Sequence, residues 1–97
     1  MVLESEPLRH TPVGVPVLEM RLRHESTVME AGLNRRLDMV VDAVALGDLA
    51  QMLAGTPLGS MLQIEGFIAP TRKDSSRLKL HMQRVHVLRT GGDPLVA

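Results

Sequence analysis

The stretch Leu46–Ile68, LGDLAQMLAGTPLGSMLQIEGFI, contains a change of hydrophobic period, and that change decides the fold. Apolar residues first recur at Leu46, Leu49, Ala50 and Leu53, the three-and-four spacing of one helix face. Asp48 is placed to cap this short helix and Gly55 to stop it. After Gly59 the period falls to two. Leu62, Ile64 and Ile68 then share one side of a strand from Met61 to Ile68, with Gly66 where a small-barrel strand bends sharply and Pro70 as its end.

Beyond Pro70, Thr71, Arg72, Lys73, Asp74, Ser75 and Ser76 form a polar loop, after which Leu78, Leu80 and Met82 alternate with Arg77, Lys79 and His81. This predicts a β-hairpin with a basic loop. Further on, Val85 and Val87 are odd-numbered where the earlier apolar residues are even, and a bulge near Gln83 and Arg84 restores the inward phase. Upstream, Leu18, Met20 and Leu22 alternate with Glu19, Arg21 and Arg23 in a strand from Val15 to His24. The run Ser26–Gly32 breaks that alternation. A second long strand follows from Leu33 to Val44, with Leu37, Met39, Val41 and Ala43 on one side. Val2–Ser5 is a short first strand that soon meets the turn residues Pro7, Pro12 and Gly14.

Three strands, one short helix and a two-stranded hairpin match an all-β, five-stranded OB-fold, a Greek-key barrel. An SH3-like barrel lacks the helix before its last hairpin. The inward set is expected to include Leu18, Met20, Leu22, Met39, Val41, Leu49, Leu53, Leu62, Ile64, Leu78, Leu80 and Met82. A single OB domain is expected over residues 1–89, with 90–97 a disordered tail rich in Gly and Pro.

Composition narrows the function classes. With 97 residues, the chain has room for one core and for binding surfaces, not for a deep enclosed active site. It has no cysteine, so there are no disulfides and no thiolate metal ligands, which fits a reducing cytoplasm. The start MVLESEPLRH is no secretory signal, and no apolar run is long enough to span a membrane. The sequence contains no Ser/His/Asp grouping, phosphate loop or dinucleotide motif. His10, His24, His81 and His86 have no ligand spacing, so an enzyme, a metal and a cofactor are not expected. Seven methionines and a lone aromatic, Phe67, suggest that methionine fills core volume usually taken by aromatic rings.

Formal net charge is zero, so any case for a nucleic-acid partner rests on where the charges fall. Basic residues gather as Arg21, Arg23 and His24 on one strand, Arg35 and Arg36 on the next, and Arg72, Lys73, Arg77, Lys79 and His81 on the hairpin. In an OB-fold these elements border one groove. Many of the cations also have acids nearby, Glu19, Asp38, Asp42 and Glu65, whereas Asp74 alone offsets the hairpin cations.

The block GTPLGSMLQIEGFI resembles the Gly-Ser-hydrophobic pattern of the bacterial single-stranded DNA-binding protein family. PLRHTPVGVP before the second strand, RHESTVMEAGLNRR at the loop into the third, and GFI before a basic hairpin are similar to the primosomal replication protein N (PriB) family. The resemblance spans Val2 to Leu88. It implies an OB-fold homodimer that binds single-stranded DNA and works with a replication-restart helicase of the PriA type. Three departures mark this chain. Its first strand looks clipped, Asp38 stands where better-known members carry a stacking Trp, and Glu25 stands where they carry a basic residue. The last two imply weaker DNA binding, because an acid cannot stack and repels phosphate. An OB-fold protein-interaction adaptor with vestigial DNA affinity is the alternative reading.

Overall fold

In the computed structural model, which describes residues 1–91, alternation dominates the first half of the chain. Val2–Ser5 forms β1, Arg9–His10 a two-residue β2, Pro16–Glu30 β3 and Leu33–Leu46 β4. The helix α1 covers Asp48–Leu53, and Met61–Pro70 and Leu78–Arg89 form β5 and β6. The sheet order is β1-β3-β4-β6-β5, with β2 on β3; β4 and β6 run parallel and the other pairs antiparallel. The Val2 N–H donates to the Ser60 carbonyl at 2.9 Å and the Gly59 N–H to the Val2 carbonyl at 2.8 Å, which brings the two ends of the sheet together. This is a partly open OB-fold barrel, as the order of elements predicts.

Leu18, Met20 and Leu22 from β3 and Ala43 and Ala45 from β4 form the core with Val2, Ala50, Leu53 and Met82. Leu8, Leu49, Leu62, Ile64, Leu80 and Val85 pack against it partly buried. Gly66 faces Met82 while Glu65 faces Arg84, so Gln83 is the extra residue of a bulge at the expected place. The two strands also approach very closely there. A Cβ on Gly66 would meet the His81 backbone, with the carbonyl carbon at 2.9 Å.

Four expectations are corrected. The alternation gap at Ser26–Gly32 is not a loop. Here β3 runs on to Glu30, and a two-residue turn, Ala31 and Gly32 at φ 51° and 78°, returns the chain into β4. The resulting arm extends beyond the core, so neither of its faces is buried enough to impose a period-two pattern. Met39 and Leu78, expected inward, are 47% and 57% exposed. Both lie on the core-facing side of the sheet but past the end of the barrel. Asp48 does not cap α1; Gly47, at φ 71°, takes the cap position without a side-chain hydrogen bond. Of the methionines, Met20 and Met82 are buried, whereas Met29, Met39 and Met52 are well exposed. Residues 92 to 97, most of the expected tail, lie outside the described residues, and the Gly91 N–H donates to Ser60 Oγ at 2.8 Å.

Candidate nucleic-acid interface

Pairing across the sheet fixes which basic residues share a face. Directly opposed residues point the same way, so Glu19, Arg21, Arg23 and Glu25 of β3 lie with Val44, Asp42, Val40 and Asp38 of β4 on the outer face, joined by Arg36 opposite Thr27. Through the parallel pairing of Val44 with His81, and of His81 with Phe67, that face continues across β6 to β5. Together with the segment between β1 and β3 it walls a cleft of about 510 Å³, lined by Glu6, Arg9, Glu19, Arg21, Asp42 and Lys79 among others. This is the groove between strands and loops that an OB-fold presents to ligands.

The expected basic groups do not all lie on this face. His24 is opposite Met39 and Arg35 opposite Val28, so both lie on the other face, where His24 Nε2 is 2.9 Å from Ser26 Oγ and Arg35 contacts Glu30 at 2.8 Å. Consecutive residues of a strand cannot share a face, so neither Arg23 with His24 nor Arg35 with Arg36 forms a joint cationic site.

Arg21, Arg23 and Arg36 on the outer face of β3 and β4, and Lys79 on β6, each have a carboxylate partner. Arg21 contacts Asp42 through Nε and Glu4 through Nη1, each at 3.2 Å. Arg23 grips Asp38 with two hydrogen bonds of 3.1 and 2.9 Å and also touches Glu25 at 3.0 Å. Arg36 shares Glu25 at 3.0 Å. Lys79, half-buried, pairs with Glu19, which Arg9 also reaches at 3.4 Å. The Lys79 hydrogen bond is the main cause that holds the Glu19 carboxyl below its usual range, against partial burial, with the Lys79 charge and Arg9 assisting. A hydrogen bond from Arg23 lowers Asp38 likewise, and Asp42 and Asp38 in turn raise Arg21 and Arg23. A phosphate entering here competes with carboxylates already in place.

The β5–β6 loop differs. Arg72, Lys73 and Arg77 are exposed and form no ion pair with any described residue. A turn holds the loop open: the Ser75 N–H donates to the Arg72 carbonyl at 3.2 Å, Asp74 sits at φ 64°, and the Arg77 N–H donates to Ser75 Oγ at 3.1 Å. Lys79, expected to act with these three, is instead drawn into the groove by Glu19.

Over residues 1–84 the chain matches the model of a group described as another single-strand binding protein family. It is also 55% identical over 97 residues to the replication restart protein PriB of Bordetella pertussis, covering 98% of this chain and 91% of that protein. The chain belongs to the PriB family of single-strand binding proteins. Among solved structures, PriB of Ralstonia solanacearum superposes with a TM-score of 0.81 at 27% identity, over 91% of this chain and 90% of that one. The single-stranded DNA-binding protein of Thermus aquaticus shares the fold, with a TM-score of 0.66 at 21% identity, over 94% of this chain and 48% of that one.

Within this PriB-family barrel, two groups outside the fully charged cations continue the outer face across β6 and β5, beyond the residues that line the cleft. His81, expected to contact DNA, has its ring stacked flat on Phe67 and its Nε2 buried without a hydrogen-bond partner among the described residues. Phe67 is the sole aromatic available as a base platform, but it lies outside the expected set of charged contacts. The signal that finds it is the hairpin register, which pairs it with His81 only once Pro70 and Leu78 are known to face each other. Among the described residues no cluster of three or more His, Asp or Glu is placed to hold a metal, and no helix is long and apolar enough to cross a membrane.

Proposed function

We propose that this chain is a non-enzymatic, cytoplasmic accessory protein of the replication-restart primosome that binds single-stranded DNA electrostatically, as a homodimer, and assists a helicase of the PriA type. The observation that carries the DNA contact is the contrast in pairing. Arg72, Lys73 and Arg77 project from the β5–β6 loop with no carboxylate partner among the described residues, while the cations of the β3–β4 face are matched by acids. Arg grips phosphate oxygens through its planar fork and Lys follows as a mobile charge, so the loop suits a flexible backbone without reading sequence. Arg21, Arg23, Arg36 and Lys79 serve as a secondary contact line. The family membership supports the primosome role and the helicase partner.

The neutral groove favours one other reading, an OB-fold interaction adaptor whose DNA affinity is residual. A salt titration decides between them. Affinity for an oligothymidylate should fall steeply and linearly in log–log form, by about 0.7 in slope for each phosphate contact, and exceed affinity for duplex competitor. A flat salt response rejects the DNA reading. Sedimentation at micromolar concentration should give a dimer; monomer alone rejects that part.

A further inference from the structure

We infer that Phe67, backed by His81, is a stacking platform for one unpaired nucleobase on the outer face of the sheet, alongside the groove. The inference rests on the single-stranded DNA reading and adds to it a contact that is not electrostatic.

The two rings are parallel within 3°, with centroids 5.0 Å apart, an offset stack. Their position follows from backbone pairing, because Phe67 and His81 face each other directly across β5 and β6. His81 also neighbours Val44, which is buried, on the same face. His81 therefore sits between Val44 and Phe67 across the sheet, with its Nε2 buried. Phe67, however, is 48% exposed, although a large aromatic gains most when buried. An apolar ring fixed on one side and open to solvent beside a groove fits a planar apolar partner.

Placement relative to charge argues for a nucleobase. Phe67 lies three residues before Pro70, the last residue of β5, and so about 10 Å along the strand from the loop that carries Arg72, Lys73 and Arg77. A strand whose phosphates follow those cations can lay a base on the ring. Every base has a π-face, so the platform tolerates any sequence.

The test compares Phe67→Leu with the unmodified protein on two probes of equal length, an oligothymidylate and an abasic oligodeoxynucleotide that keeps phosphates without bases. Phe67→Leu should weaken oligothymidylate binding about fivefold or more, leave its salt slope unchanged and leave abasic binding unchanged. Equal losses on both probes, or none on oligothymidylate, overturn the platform while the loop contact stands. Failure of the unmodified protein to bind either probe overturns the DNA reading and the platform with it. Because a leucine could disturb the hairpin, ring-proton shifts of Phe67 in the unmodified protein provide a second readout. Oligothymidylate should move them upfield and abasic DNA should not; identical shifts with both probes reject stacking.

Discussion

The groove floor on β3 and β4 and the loop between β5 and β6 carry similar numbers of cations but present them differently. On the floor, strand register sets Arg21 opposite Asp42 and Glu25 opposite Asp38, so each arginine meets carboxylates within 3.2 Å and the field cancels locally. In the loop no register applies, and Arg72, Lys73 and Arg77 remain exposed beside one acid, Asp74. Counting basic residues would rank the two regions as equals. Pairing geometry, not charge number, decides which cations are open to a phosphate.

The largest expected effect comes from breaking the hairpin that carries the loop. Gly66→Ala drives a methyl group into the His81 carbonyl, and a backbone group cannot swing aside, so a loss of about 3 kcal/mol in urea unfolding is expected. Hydrogen exchange should then show faster opening in β5 and β6 than in the β3–β4 arm. Next, Arg72→Ala with Lys73→Ala should weaken single-strand binding about tenfold and flatten the salt slope by roughly 1.4, two contacts' worth. Arg21→Ala with Arg36→Ala should do less, measured on the same oligonucleotide with both variants checked for folding by circular dichroism. An equal or larger loss in the second pair would reverse the ranking of the two regions.

A smaller effect in the opposite direction sharpens the contrast. Asp38→Asn with Glu25→Gln releases Arg23 and Arg36 from their carboxylates, so affinity should rise about threefold and the salt slope should steepen. The least effect concerns the pair at the groove's edge. Glu19 is held below its ordinary value in the folded protein, so the Lys79 pairing stabilises fully above the unfolded value of about 4.3 and is lost as pH falls through the lower folded value. Lys79→Met should therefore lower the melting temperature by a degree or two at pH 6 and by less at pH 3.

Much of this fold was legible in the chain because burial writes a period into the sequence wherever one face is covered. The switch at Leu46–Ile68 and the Gln83 bulge are readable for that reason, whereas Gly66 reads only as a bend and its close approach to His81 comes from the hairpin register. The Ser26–Gly32 stretch misled because the arm has no buried face there, and backbone pairing continues without leaving a pattern. Met39 and Leu78 had the right phase but the wrong depth. Alternation reports which way a side chain points, and only the length of the barrel tells whether anything covers it.

The candidate site divides along the same line. Local spacing was sufficient to identify the basic loop, because Arg72, Lys73 and Arg77 are close in sequence and need no partner strand to be brought together. Removing His24 and Arg35 from the groove required only strict alternation. Three further features depended on tertiary structure: the neutralisation of Arg21, Arg23 and Arg36, the capture of Lys79 by Glu19 and the stacking of Phe67 on His81. Each joins residues from different strands, 60 positions apart for Lys79 and Glu19. Turn length, bulges and strand order set such meetings, whereas hydropathy along the chain records only the distinction between inside and outside.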